Sequence, residues 1–476
     1  MDRDQIRLVE KLSDELEAGN LAIFAGAGFS MAAGFVDWKN LLRPIAEDLQ
    51  LDVEREYDLV ALAQYHTNDN VANRHRLNQL LVTEFARELN PSENHLILAR
   101  LPISTWWTTN YDRLIEQALK DAGKVVDAKY RRQQLPTTVH KRDVVLYKMH
   151  GDVENADEAI LTRDDYERYH LRMAPFIDAL KGDLVAKTFL FLGFSFTDPN
   201  LDYILSRVRI SYEQNQRQSH CVLRRVARLE NESDADFEYR ERKQQLFEKE
   251  LLRFGIRTTY VREFSEITEI LRAIETCHRR RSVFISGAAH DYAPFGEVAS
   301  DKFVFNLAGA ISKRDFRIIS GFGLGIGSAV IAGVIETTAL DGRALDEDRL
   351  LVRPFPQSAP GMTDRAQLWT RYREDILKRA GVAVFVFGNK LVGDEVVHSN
   401  GMKEEFDLAL ANGVFPIPVG ITGGMARELW TETIALLDSG RLLAPAGARE
   451  LISELGADET TLERAHTIVL ELLKIL

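Results

Sequence analysis

The chain has 476 residues with 60 basic and 72 acidic side chains, a formal net charge of -12, which disfavours a general binder of nucleic acid or membrane surfaces and leaves any anion site to be built locally from backbone amides. Its length exceeds what one hydrophobic core supports and predicts two domains. Cys221 and Cys277 are too few and too far apart for a four-cysteine zinc site or a disulfide framework, so no metal is expected and a reducing cytoplasm fits; the longest apolar runs, such as 189–196, are strand-sized rather than membrane-spanning.

Residues 4–18 have helical spacing (Ile6, Val9, Leu12, Leu16). The wholly apolar stretch Leu21 to Ala25 then reads as a buried strand, running into the turn Gly26-Ala27-Gly28-Phe29-Ser30. Glycines there let backbone approach a pyrophosphate, and Ser30 is placed to cap a following helix. The spacing predicts helices from Trp38 to about Leu89. Strands follow at 104–109, 143–149, 188–192 and 220–224, with helices between, the alternation of an open parallel α/β sheet. Residues 231–250 hold 11 charged side chains and read as a solvated helix. At Arg279-Arg280-Arg281 the pattern restarts, with strands at 283–285, 316–320, 350–354, 382–387 and 414–419. Two domains are therefore expected, 1–280 and 281–476, each an α/β, Rossmann-like sheet.

Open α/β sheets take ligands at strand ends, and three more stretches in the first domain sit there. Thr108-Thr109-Asn110-Tyr111-Asp112 presents an amide that both donates and accepts. His150-Gly151-Asp152 presents an imidazole that exchanges a proton near neutral pH. Gly193-Phe194-Ser195-Phe196-Thr197-Asp198-Pro199 offers another glycine turn, with Asp198 as helix N-cap and Pro199 at the first helical position.

In this order and spacing the four stretches resemble the sirtuin family, over roughly residues 1–278. The resemblance implies that Gly26, Ala27, Gly28, Ser30, Gly193 and Ser195 cradle NAD, with Asp112 and Asp198 on the same turns, while Asn110 and His150 serve the chemistry at the nicotinamide ribose. Two departures weigh against a peptide deacylase: there is no four-cysteine module, and Val36-Asp37-Trp38-Lys39 stands where the family has Pro-Asp-Phe-Arg. Water then replaces acyl-lysine as acceptor, and the expected reaction is NAD hydrolysis through an oxocarbenium-like state.

In the second domain, Ser320-Gly321-Phe322-Gly323-Leu324-Gly325-Ile326-Gly327 follows a strand and opens a helix, a phosphate-loop layout without a Walker lysine. With Ser286-Gly287 it resembles the SLOG superfamily of nucleotide hydrolases and sensors. The hydrolase signature is replaced by Gly388-Asn389-Lys390 and Glu404-Glu405-Phe406, which favours binding over catalysis. The pairing of the two domains, with Arg353-Pro354-Phe355-Pro356-Gln357 and Tyr372-Arg373, resembles the effectors of Thoeris antiphage defence. That resemblance implies an NAD-consuming domain switched on when the SLOG domain captures a cyclic ADP-ribose isomer made by a TIR-domain partner. It also implies a homotetramer that stacks into filaments. Arg373 and Lys390 would hold the ligand's phosphates and Glu405 its ribose hydroxyls, Gly323 and Gly325 would line the pyrophosphate side, and Ser286 and Gly287 would also bind the ligand. Two rival functions stay open: a sirtuin-like deacylase, and a regulator that binds NAD without cleaving it.

Overall fold

The computed structural model describes the whole chain apart from residues 195, 197, 213–216, 347–348 and 356–364. Two compact units form, Met1–Glu275 and Thr276–Leu476, and the division falls inside the helix Ser265–Arg280.

The first unit is built on seven strands: β1 (Leu21–Ala25), β2 (Thr105–Thr108), β3 (Val126–Lys129), β4 (Val144–Lys148), β5 (Thr188–Leu192), β6 (Ser219–Arg224) and β7 (Ile256–Val261). All pair in parallel, in the order β3-β4-β2-β1-β5-β6-β7. The strand β1 is buried along its length because helices cover both faces of the sheet. Its side chains alternate between two cores. Leu21, Ile23 and Ala25 join one with Leu8, Leu12 and Ile274, while Ala22 and Phe24 join the other with Phe176, Phe191 and Ile204.

Between β1 and β2 the chain makes several helices, of which three, Trp38–Asp48, Leu59–Asp69 and His75–Phe85, pack together. They bury Leu42, Ile45, Leu62 and Leu81 in a core of their own, which also takes in Tyr111 and Val153. This insertion therefore rests on the turns that follow β2 and β4. The charged stretch near residue 240 is a 20-residue helix, Asp234–Arg253, with Leu251 alone buried.

The second unit has five parallel strands in the order β10-β9-β8-β11-β14: β8 (Ser282–Ala288), β9 (Arg317–Ser320), β10 (Leu350–Val352), β11 (Val382–Phe387) and β14 (Phe415–Pro418). An antiparallel hairpin, β12 (Asn389–Val392) and β13 (Glu395–His398), follows β11 directly. Among the described residues no helix is long and apolar enough to cross a membrane.

Candidate active site

The four motif turns of the first unit all leave the C-terminal ends of neighbouring strands. Ala25 of β1 pairs with Thr108 of β2 and Leu192 of β5, and Thr108 pairs with Lys148 of β4. Gly26, Thr109, Met149 and Gly193 thus stand in one row just past the sheet. The chain crosses from β4 to β5 over β2 and β1, so β1 and β5 flank the switch point where such sheets open a ligand crevice.

Contact between the β1 and β5 turns explains the glycines. Gly26 and Gly28 N–H donate to Leu192 O and Gly193 O, both at 2.9 Å. A Cβ on Gly26 would stand 2.5 Å from Gly193 O, and one on Gly193, whose φ is +63°, would stand 2.5 Å from the Gly28 carbonyl carbon. Two of the expected cradle amides are therefore spent within the protein. Ala27, Gly28 and Gly193 remain exposed along the rim. Ser195 lies outside the described residues.

Ser30 does not cap a helix. The short helix Ala27–Met31 begins sooner than expected, with Gly26 at its N-cap, so Ser30 falls inside it. Its buried hydroxyl instead accepts from Asn110 Nδ2 at 2.9 Å, and the same amide donates to Gly26 O at 3.0 Å. With its nitrogen so held, Asn110 leaves Oδ1 buried and without a hydrogen-bond partner. An orphaned buried acceptor is costly and marks a place where something else is to be bound. Asp112, on the same turn, is buried and points to the start of the next helix, accepting from Leu114 N at 3.0 Å.

His150 stands two residues past the rung shared by β2 and β4, as Asn110 does. Its Nε2 lies 3.0 Å from Asp198 Oδ2, an ion-pair distance out of line for a hydrogen bond. Tyr111 and Tyr166 flank the ring, with centroids at 6.3 and 5.6 Å. Asp198 caps the helix Pro199–Tyr212, accepting from Leu201 N at 2.9 Å, and takes the Tyr166 hydroxyl at 3.2 Å. Burial pushes its carboxyl up, but the His150 charge, the Leu201 amide and the Tyr166 hydroxyl outweigh that and hold it below the ordinary aspartate range. An anion is thus kept against the imidazole. A cavity of about 770 Å³ lies elsewhere, between the helices Arg3–Glu17 and Asp234–Arg253 and the edge strand β7, and none of the motif residues lines it.

Sequence reasoning missed Tyr166, a tyrosine in a charged helix with nothing to set it apart. It also missed Lys148, for which a signal existed: Val144, Leu146 and Lys148 share one strand face, so alternation puts a lysine where an apolar residue belongs.

Two family models divide the chain: a SIR2-like domain matches residues 104–254 and the Sir2- and TIR-associating SLOG family matches 266–476. Over 468 residues, 98% of both chains, the sequence is 47% identical to the NAD(+) hydrolase ThsA of Bacillus cereus (strain MSX-D12). It is 46% identical, over 92% of both chains, to the NAD(+) hydrolase ThsA of Acinetobacter baumannii (strain 532279). The chain belongs to the ThsA family. The SIR2-like match spans the Asn110, His150 and Asp198 turns, and the SLOG match spans all of the second unit's candidate residues.

In this ThsA-family chain the second unit repeats the device of the first, with two strand-end turns in backbone contact. Ala289 N–H donates to Leu324 O at 2.9 Å, and Cβ atoms on Gly323 or Gly325 would run into Gly287 O and Ala289 O. Beside these turns Ser286 Oγ donates to buried Glu405 at 2.5 Å. Burial pushes the Glu405 carboxyl up, against the pull of Ser286 and Arg373. Arg373, expected to hold phosphate, is itself buried and taken: its guanidinium donates to Glu404 at 2.6 Å and Glu405 at 3.4 Å and lies over the Phe355 ring at 4.9 Å. Lys390 stands on the hairpin opposite Val397 and joins no ion pair among the described residues. Its neighbour Asn389 fastens the turn after β8, accepting from His290 and Asp291 N–H at 2.8 Å each. Pro356 and Gln357 lie outside the described residues, among which no cluster fit for a metal occurs.

Proposed function

We propose that this chain hydrolyses NAD at the N-glycosidic bond, releasing nicotinamide and ADP-ribose, as an effector of Thoeris defence. The observation that carries the reading is the orphaned Asn110 Oδ1 on the strand end beside His150. That oxygen accepts from the attacking water or a ribose hydroxyl. With Nε2 facing Asp198, Nδ1 is the ring nitrogen left to take a proton, and the anion behind the ring stabilises the imidazolium as it forms. Nicotinamide leaves as a neutral molecule from a cationic precursor, so no acid is required. The exposed rim at Ala27 and Gly193 receives the phosphates, the Gly28 N–H being already spent on Gly193 O.

We further propose that the SLOG unit gates this reaction by binding a cyclic ADP-ribose isomer made by a TIR-domain partner. Asn110 and His150 are 6% and 5% exposed, which supports a resting form closed to NAD. A phosphate that claims Arg373 displaces Glu404 from it, and a ligand acting so shifts the equilibrium only by binding the open form better. The assembly that transmits the shift is a homotetramer, stacked into filaments, in the cytoplasm, and NAD loss ends phage growth. Incubation of the purified full chain with NAD, alone and with each cyclic ADP-ribose isomer, tests both parts. Nicotinamide release dependent on an isomer is expected; NAD left intact in every mixture would overturn the reading in favour of a regulator that binds without cleaving.

A further inference from the structure

Lys148 ends β4 two residues before His150, and its side chain is entirely buried. A lysine so placed is tolerated only when its ammonium finds acceptors. It has four: Tyr111 O at 3.3 Å, Asp112 O at 2.6 Å, Glu116 Oε1 at 3.0 Å and Asp152 Oδ2 at 2.5 Å. Their chain positions are telling. The first three lie on the stretch that follows Asn110, and the last follows His150.

We propose that Lys148 is a positioning residue, whose ammonium sets the spacing between the Asn110 turn and the His150 turn so that amide and imidazole reach the same ribose. The inference rests on the NAD-hydrolase reading. Other contacts join the two turns, including Val153 N–H to Tyr111 O at 3.1 Å and the Tyr111 hydroxyl to Ile160 O at 2.7 Å, yet among the described residues the lysine alone engages the backbone of one turn and a side chain of the other through a single atom. Stability alone does not call for it. The same strand face puts Val144 and Leu146 into the apolar core, and replacing a whole buried ion cluster by apolar side chains is often neutral or stabilising, although removing the lysine alone strands Glu116 and Asp152 and is destabilising. The cluster even carries excess acid, for Asp112 Oδ2 and Glu116 Oε2 are buried without hydrogen-bond partners. Burial pushes the Glu116 carboxyl up, whereas the surrounding carboxylates more than offset burial at Lys148 and keep it charged.

Lys148→Met in the full chain removes the ammonium and keeps the length of the side chain. Nicotinamide release from NAD, measured with the cyclic ADP-ribose isomers and normalised to the folded fraction from circular dichroism, should show kcat down at least 30-fold and KM for NAD within threefold of wild type. The split arises because the phosphates are held by the β1 and β5 turns, which the clamp does not touch. A lysine serving stability alone would lower the folded fraction and leave the normalised kcat intact, and a kcat within threefold of wild type overturns the proposal. Should Lys148→Met fail to fold, Asp152→Ala decides by the same criteria, since it frees the His150 side of the clamp and leaves the ammonium with three acceptors. Wild-type protein inert with every isomer would instead strike at the hydrolase reading, and so the two failures are distinguishable.

Discussion

Asp198→Asn separates charge from shape at the His150 pair. Asparagine caps helices as well as aspartate does, so the bond to Leu201 N–H survives, while the anion is lost and the oxygen that faces the imidazole and accepts from the Tyr166 hydroxyl becomes an amide nitrogen. Two unit charges 3.0 Å apart attract by about 5.5 kcal/mol at an effective dielectric of ~20. Desolvation opposes much of this, and stripping one member of a buried pair costs about 3–5 kcal/mol. If about 3 kcal/mol of that is felt when the imidazolium forms during proton transfer, kcat falls by roughly two powers of ten, at 1.36 kcal/mol per tenfold. KM for NAD should change little, because the carboxylate faces the ring rather than the rim. Nicotinamide release under single-turnover conditions, with enzyme in excess and an activating cyclic ADP-ribose isomer present, reports the chemical step directly. A folded Asp198→Asn variant with a rate within threefold of wild type would refute the role assigned to the pair.

Three further outcomes are expected. Asn110→Ala removes the orphaned acceptor and strands Gly26 O and Ser30 Oγ; turnover should fall at least 1000-fold, with a stability loss of only about 1–3 kcal/mol in a denaturant titration, and wild-type turnover would contradict the assignment. Gly193→Ala forces a side chain onto a positive φ and against Gly28; strain of about 1–3 kcal/mol should raise KM for NAD about tenfold, and an unaltered KM would separate the β5 turn from substrate binding. Because the Asp198 carboxyl is depressed in the folded chain, its stabilisation is complete above the ordinary aspartate pKa and is lost as pH falls through the lower folded value. Melting temperatures of wild type and Asp198→Asn should therefore differ at pH 6 and begin to converge only as pH falls below about 4, and a constant difference would argue against the pair.

The sheets were legible where strands are apolar throughout. Leu21–Ala25 and Thr188–Leu192 match the expected spans, because strands buried on both faces read as continuous hydrophobic runs. Missed strands lie at sheet edges. Val126–Lys129 and Ile256–Val261 are the outermost strands of their sheet, and Asp127, Lys129, Arg257 and Thr259 break the apolar run that would have marked them. The hairpin after Phe387 was missed for another reason: Gly388-Asn389-Lys390 was read for ligand chemistry, not for the turn at Gly393-Asp394 that pairs its two arms. At the site, the Asp198 cap followed from a local rule, whereas Asn110 and His150 were singled out by the order of the four motifs in the sirtuin resemblance. Partners did not follow from local rules. That Asn110 would bind Ser30, or that Arg373 would meet Glu404 and Glu405, depends on tertiary packing, which brings together segments 80 residues apart in the first case and 32 between Arg373 and Glu405.

The bare-backbone seam between Gly26-Gly28 and Gly193 has a mechanical corollary. Two loops that interlock without side chains have no rotamers to rearrange, so that wall of the crevice travels as one piece. If NAD is admitted by a motion, the seam itself is a poor candidate for it, and the side chains around the imidazole, Tyr111 and Tyr166 among them, are the groups with rotamers to change. On the proposed reading, such a seam would leave the floor offered to the phosphates set and would leave regulation to act at the reacting end.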